Sequence, residues 1–325
     1  MHIDRNPYYG GEGASVNLTN LWKIFREKEE PNKELGHNRD WNIDLIPKYI
    51  MYGGKLVKIL LKTRVSKYLE WKRNHLSYSA IDGTYVLQNK EGGFFSKGGY
   101  KIYKVPVTPK EALASDLMGL FEKRRCQKFL ETVQNFEENN PKTHSSIKLQ
   151  GPAKEMLGKY ELEENTIDFI GHAVALYTND NFLNRPSIDL IKKIQLYMDS
   201  MGKNPSPFIY PIFGLGGIPE GFSRISAVNG GTFMLNTDIN EVLFENGKVV
   251  GVKGPEGIAK CNTLICDPTY VRKCGLKDRV KFVEKIIRVI CILDHTIPNT
   301  DNLPSVQIIL PQRQLGRKNG TLLLT

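Results

Sequence analysis

Apolar residues recur along this chain with a spacing that changes twice. From residue 108 to about 200 nearly every segment carries the three-and-four period of an amphipathic helix. Leu113, Leu117, Leu120 and Phe121 form one expected stripe, continued by Phe129, Val133 and Phe136 after the charged run Glu122-Lys123-Arg124-Arg125. Thr108 reads as the cap of the first helix, Pro109 as its first position and Glu111 as the end of a capping box. Further helices are expected over 154–160, 167–177 and 188–198, and Asn139-Asn140-Pro141 ends the one before them. This predicts a domain of four or five helices over 108–200, whose plainest role is a cap with a filled core.

Before and after it the period is that of short strands. The opening residues read as a strand end running into Gly10-Gly11-Glu12-Gly13. Residues 41–61 predict two short helices broken at Gly53-Gly54, and Asp82-Gly83 and Gly92-Gly93 predict hairpin turns. A strand follows through Ile102, Lys104 and Val105. Strand signals return from Pro205: Gly230-Gly231-Thr232-Phe233-Met234-Leu235, then Val242-Leu243-Phe244, an Asn246-Gly247 turn, and Val249-Val250-Gly251-Val252. A short buried strand is expected at Thr263-Leu264-Ile265-Cys266-Asp267-Pro268. A discontinuous first domain, 1–107 and 201–325, with the helical domain 108–200 spliced into it, follows from this order.

At 325 residues there is length for two domains, and with 40% hydrophobic and 25% charged residues the chain reads as globular. No apolar run approaches what a membrane-spanning helix needs, and the N-terminus has no signal-peptide pattern, so a cytosolic protein is expected. Five scattered cysteines suit reduced thiols. Cys261, Cys266 and Cys274 lack a histidine at ligand spacing, so no metal is expected. The net charge of +10 admits an anionic partner, yet the cations interleave with acids and no nucleic-acid motif accompanies them.

The chemistry of common enzymes is missing from the sequence. There is no nucleophile elbow, zinc-binding helix motif or phosphate-binding loop with lysine. Gly214-Leu215-Gly216-Gly217-Ile218-Pro219-Glu220-Gly221 resembles a phosphate loop, but Pro219 interrupts it, a helix is expected only from Gly221, and a packing turn is favoured. His172 reads as a hydrogen-bonded core or rim histidine, and Asp4 either as the residue that would hold a ribose if a dinucleotide bound or as a strand-end residue bonding loop amides.

One run decides the family to consider. Asp4-Arg5-Asn6-Pro7-Tyr8-Tyr9-Gly10-Gly11-Glu12 resembles the signature of Rab GDP-dissociation inhibitors and Rab escort proteins. Similar blocks stand at Arg39-Asp40-Trp41-Asn42-Ile43-Asp44, Phe121-Glu122-Lys123-Arg124-Arg125, Asp168-Phe169-Ile170-Gly171-His172-Ala173, Tyr210-Pro211-Ile212-Phe213-Gly214-Leu215-Gly216 and Asn229-Gly230-Gly231-Thr232-Phe233-Met234-Leu235. The resemblance runs from residue 1 to about Gln312, with an insertion around 74–97 and a smaller one near 272–277.

It implies an α/β, flavoprotein-like fold of FAD/NAD(P)-binding, Rossmann type, carrying an all-helical domain. The family's first βα unit and its C-terminal end have no counterpart here. The implied function is that of a carrier, not an enzyme, which needs no cofactor. It binds prenylated Rab GTPases in the GDP state, inhibits GDP release and draws them off membranes as a monomer. Tyr9, Arg224, Thr232 and Met234 match the Rab-binding platform. Ile102 and Tyr103 match the region for the GTPase tail, and Tyr210 lies in the loop 206–213 that matches a mobile loop contacting the membrane-release machinery or that tail. Leu117, Leu120 and Phe121 fall where helices would open a pocket for the geranylgeranyl chain. Gly217 stands where the family has an acid in the platform. An escort protein presenting Rabs to the geranylgeranyltransferase is the alternative. An FAD-dependent oxidoreductase of amine-oxidase type, drawing on Asp4 and the Asn246-Gly247 hairpin, is less favoured because the phosphate turn is missing.

Overall fold

A computed structural model of the protein describes residues 1–27, 29–71, 73–74, 77–78, 82–90, 99–107, 109–202, 206–283, 285–317 and 322–324. The Gly92-Gly93 turn, the Thr108 cap, Pro205 and half of the insertion at 74–97 lie outside these residues. The chain folds as two compact units. One comprises Met1–Pro47, Arg64–Glu70 and Phe213–Ile292, the other Lys48–Thr63, Trp71–Ile212 and Leu293–Thr325.

In the first unit the strand His2–Ile3 runs parallel to Phe233–Met234, with His2 opposite Phe233 and Ile3 opposite Met234. The His2 N–H donates to the Thr232 carbonyl at 2.8 Å and the Asp4 N–H to that of Met234 at 2.9 Å. Asp4, buried at the strand's end, accepts the Asn6 N–H at 2.9 Å and closes a tight loop, as its residue type favours. Helix Leu18–Phe25 starts at Asn17, whose side chain accepts the Asn20 N–H at 2.9 Å, and it buries Leu18 and Leu21.

Strand Ser15–Val16 pairs antiparallel with Ile43–Asp44. In the second unit Ile50–Met51 pairs with Phe208–Ile209. The first of the two helices expected over 41–61 therefore does not form, and only the second, Lys55–Lys62, exists. Two causes act together. Asp44 is committed to accepting the Ser15 hydroxyl at 2.6 Å, and Pro47 biases the residue before it away from helical geometry.

The Asn246-Gly247 turn stands as expected, both residues being left-handed at φ 50° and 76°. It joins Glu241–Glu245 to Lys248–Gly254, and a third strand that the apolar pattern did not announce, Gly257–Lys260, completes the meander. The strand expected at 263–268 is absent: the segment is irregular and mostly exposed. Its polar end has another use. Asp267 accepts the Thr269 N–H at 2.7 Å and caps a helix, Pro268–Lys273, with the proline in its first turn.

The second unit holds a sheet in the order Leu322–Leu324, Val306–Leu310, Gly83–Lys90, Gly99–Lys104. The two middle strands are parallel and the outer pairings antiparallel. Gly83 thus begins a strand and does not turn a hairpin. Alternate residues divide the sheet's two faces. Val86, Tyr103, Val105 and Ile309 join the helical core, while Tyr85, Val306 and Ile308 form a smaller cluster.

Helix Leu120–Gln134 contributes Cys126, Phe129 and Val133 to that core, and Ser187–Met201 contributes Ile188, Ile191, Ile194 and Tyr197. Each such side chain contributes about 1.5–3 kcal/mol on leaving water. Because sheet and helices share one core, the compact units divide the chain elsewhere than at 107/108 and 200/201. The expected stripe from Leu113 to Phe121 is also corrected: helix Pro109–Ala114 ends and a new one starts at Leu120, so these residues lie on no common face. Helix Glu164–Asp168 widens into a π-helical turn, Phe169–Val174. Within it Gly171 lies so close to the Phe182 ring that a Cβ would fall 2.3 Å from it. No helix among the described residues is long and apolar enough to cross a membrane.

Candidate functional site

In the first unit the parallel strand pair gathers three rings. Tyr9 lies 4.6 Å from His2 and 5.4 Å, edge-on, from Phe233, measured between centroids. Gly10 makes this possible, since its φ of 105° turns the loop and a Cβ there would fall 2.8 Å from the Pro219 ring. Tyr9 remains half-buried, as does Met234, and Thr232 is exposed. Burial and the Asp4 carboxylate push the Tyr9 hydroxyl up.

Arg224 stands exposed on helix Gly217–Val228 with its guanidinium 5.1 Å above the Tyr68 ring. The helix begins at Gly217, not at Gly221, and Pro219 sits in its first turn, where the missing N–H breaks no bond. The glycines before it pack against backbone and side chains. A Cβ on Gly214, at φ 81°, would lie 2.2 Å from the Ser15 hydroxyl oxygen, and one on Gly216 would lie 2.6 Å from the Ser15 nitrogen. Asp44 accepts the Leu215 N–H at 3.0 Å. The loop's polar groups are turned inward, as a packing turn requires.

Next to the ring cluster in sequence, Arg5 lies 3.7 Å over the Tyr270 ring and donates to the Thr269 hydroxyl at 2.8 Å. The hydrogen bond with Tyr270 raises the Arg5 pKa above its ordinary value. Lys273 bonds the Asp238 carboxylate and holds its pKa below the usual range.

In the second unit Ile102 is half-buried on strand Gly99–Lys104 and lines a cavity of about 330 Å³ with Tyr85, Lys104, Glu111, Asp116 and Asp301. Tyr85 donates to Asp301 at 3.0 Å, and burial raises its pKa. Tyr103 also lines this cavity and is buried in the helical core. Tyr210 packs edge-on against Tyr49 at 5.6 Å beside Phe208. Burial pushes the Tyr49 hydroxyl up to about 12. Ile102 and Tyr103 therefore share the cavity, while Tyr210 belongs to a separate aromatic group. Leu117 is buried in the core, whereas Leu120 and Phe121 are 62% and 72% exposed at the start of their helix.

Asp168, His172 and Asp180 could in principle hold a metal, since one ligand atom from each lies within 4.8 Å of the others. Their atoms are already engaged. His172 Nδ1 faces the Tyr177 carbonyl at 2.7 Å and Nε2 faces Asp180 at 2.8 Å. Asp168 accepts from Arg313 at 3.0 Å and from Gln314 at 2.7 Å. An arginine in the donor set and a fully occupied imidazole suit a polar clasp on residues 312–314.

The family model of GDP dissociation inhibitors matches residues 1–324. The chain belongs to the GDP dissociation inhibitor family. It is 49% identical over 327 residues to a guanosine nucleotide diphosphate dissociation inhibitor of Arabidopsis thaliana, covering 99% of this chain and 68% of that protein. It is 46% identical to the crystal structure of Rab GDI from Plasmodium falciparum, with a TM-score of 0.85, covering 99% of this chain and 71% of that one. The fold is therefore the Rossmann-like, FAD-binding type with a helical domain, and members of the family are regulatory proteins of small GTPases.

Within this family member, sequence reasoning named Tyr9 but missed the rings that hold it. His2 and Phe233 come together through the parallel pairing of residues more than two hundred positions apart, which no local pattern reveals. Tyr68 beneath Arg224 was missed for the same reason. Only the Gly-Gly steps, at 10–11 and 230–231, signalled unusual backbone on both sides of the cluster.

Proposed function

We propose that this GDP dissociation inhibitor family member binds prenylated Rab GTPases in their GDP state, slows GDP release and carries them between membranes and cytosol without catalysing a reaction. The family membership supports binding of small GTPases. The observation that carries the finer reading is the aromatic group of Tyr9, His2 and Phe233, flanked by the exposed Thr232 and half-buried Met234. Rings already packed on one another lose little freedom on binding, and aromatic, arginine and methionine side chains are the usual anchors of an interface core.

The exposed Leu120 and Phe121 support a prenyl-binding role for the helical part, because they offer apolar surface where the resemblance puts the lipid. Each CH₂ sheltered there is worth about 0.8 kcal/mol, enough in sum to compete with a bilayer. The half-buried Ile102 and Tyr210 would meet the GTPase tail. A monomer resident in the cytosol fits a carrier.

The test is release of a fluorescent GDP analogue from prenylated Rab with and without the chain. Slower release, absent with unprenylated Rab, supports the proposal; an unchanged release rate refutes it. An escort protein would instead bind purified geranylgeranyltransferase stably.

A further inference from the structure

In the second unit one buried histidine is held between two acceptors. His172, 1% exposed within the π-helical turn, brings Nδ1 to 2.7 Å from the Tyr177 carbonyl and Nε2 to 2.8 Å from the Asp180 carboxylate. A carbonyl and an ionised carboxylate only accept, so each ring nitrogen has to supply a hydrogen. Neutral imidazole has one N–H, and two are needed here, which makes the ring an imidazolium. A nitrogen that carries a hydrogen has no lone pair for a metal, so a proton and a metal exclude each other at this ring.

The charges around the ring favour that form. Glu164 and Asp168 stand on the helix before the π-helical turn, Asp180 opens the short helix Asp180–Asn184 after it, and Arg313 donates to both Glu164 and Asp168. With a neutral ring these three carboxylates would share a single cation. Lys193 lies farther out, 3.9 Å over the Tyr177 ring, with Asp189 and Arg185 acting on the same tyrosine. What the cluster holds is the segment that follows strand Val306–Leu310. Gln312 donates to the second oxygen of Asp180, and Gln314 donates to Asp168 at 2.7 Å while accepting the Asn89 N–H at 2.7 Å.

We propose that a proton on His172 latches residues 312–314 to the π-helical turn, and that the latch opens when the ring loses it. With one N–H left, the ring can serve Tyr177 or Asp180 but not both, and the abandoned contact sets a lone pair against an oxygen in a buried place. Tyr177 is five residues away on the same turn, so its bond is the easier to keep. Asp180 is then released, and Gln312 with it. The latch is closed while the ring is protonated and opens as rising pH removes the proton. This device lies beyond GTPase binding and does not require it.

The experiment uses the full chain without any GTPase. Nitrogen-15 magnetic resonance reads the protonation of the His172 ring, and hydrogen exchange, corrected for its intrinsic pH dependence, reads the protection of amides 312–317 over the pH range in which the chain stays folded. Both ring nitrogens should carry hydrogen at the acid end, and protection should fall by at least about tenfold over the interval in which the ring titrates. His172→Asn, whose shorter side chain reaches only the Nδ1 position, should leave the segment less protected by a similar factor at every pH. Asp180→Asn offers an amide that can accept or donate, and Gln312 can turn its own amide to match, so this variant should keep protection and lose its pH dependence. A thermal melt checks that each variant folds. A ring with a single N–H beside a protected segment, protection that ignores the ring's titration, a latch closed at every pH, full protection in His172→Asn, or release of the segment by a metal chelator would each overturn the proposal.

Discussion

The ion pair at the start of helix Leu120–Gln134 permits a prediction in which the more exposed partner is the costlier one to lose. Glu122 is almost fully buried although ionisable, and its carboxylate accepts from Arg125 at 2.7–2.8 Å and from the Glu163 N–H at 2.8 Å. Arg125 is 34% exposed and also reaches Glu163 at 3.2 Å. Removing the carboxylate by Glu122→Ala leaves the arginine with water and Glu163. What is lost is packing and a partner for one backbone N–H, together about 2–3 kcal/mol. Removing the guanidinium by Arg125→Ala strands a buried carboxylate with a single backbone donor, about 3–5 kcal/mol. Arg125→Ala should therefore destabilise the chain more, although it deletes the more exposed side chain.

The double variant should cost less than the sum of the singles, with a coupling of roughly 1–3 kcal/mol. Urea unfolding followed by the helical circular dichroism signal reads all three. If Glu122→Ala costs as much as Arg125→Ala, the buried charge is not what holds this turn. The outcome bears on the proposed function because Leu120 and Phe121 precede the pair immediately. A loosened first turn should also weaken binding of a prenylated peptide.

Three further outcomes are expected. Tyr9→Ala or Arg224→Ala should weaken binding to prenylated, GDP-loaded Rab by roughly 1–4 kcal/mol with the fold intact, and Gly217→Glu should strengthen it if an acid once met a basic group there, all read by affinity titration beside circular dichroism. Gly214→Ala, which combines a left-handed backbone with a 2.2 Å clash against Ser15, should cost about 2–4 kcal/mol by urea unfolding, whereas Gly230→Ala, left-handed but facing open space, should cost only about 1–2 kcal/mol. Burial pushes the Cys126 thiol up to about 12, so stability is full below the ordinary thiol range near about 8.5 and is lost as pH climbs from there towards 12, where the unfolded thiol alone ionises. Cys126→Ala should flatten that alkaline loss, and maleimide labelling followed by mass spectrometry should modify exposed Cys291 long before Cys126.

What the sequence disclosed and what it hid divide along the range of the interactions. The Asn246-Gly247 turn, the helices Ala153–Lys159 and Ser187–Met201 and the strand through Ile102 depend on period and turn chemistry within a dozen residues, and all were legible. The helix expected from residue 41 failed because Asp44 is claimed by Ser15 and Leu215, the second of these lying 171 positions away. The expected strand at 263–268 failed because Asp267 and Pro268 start a helix, a signal that was present and was outweighed by the apolar run before it.

The candidate site shows the same division more sharply. Tyr9, Thr232 and Met234 were nameable from resemblance, but their meeting rests on two-residue strands, His2–Ile3 and Phe233–Met234, too short to carry a periodic signal. Such a pairing has little stability of its own. It is secured by glycines that admit close approach: Gly10 against Pro219, and Gly231, where a Cβ would fall 2.6 Å from the Ser226 hydroxyl oxygen. The geometry of this aromatic cluster is thus set by residues that have no side chain of their own. Substitutions at Gly10 or Gly231 should then disturb binding through the position of Tyr9 and Phe233, and a displaced aromatic signal in near-ultraviolet circular dichroism should accompany the loss. A weakened complex with an unchanged aromatic signal would mean that these glycines act by some route other than seating the rings.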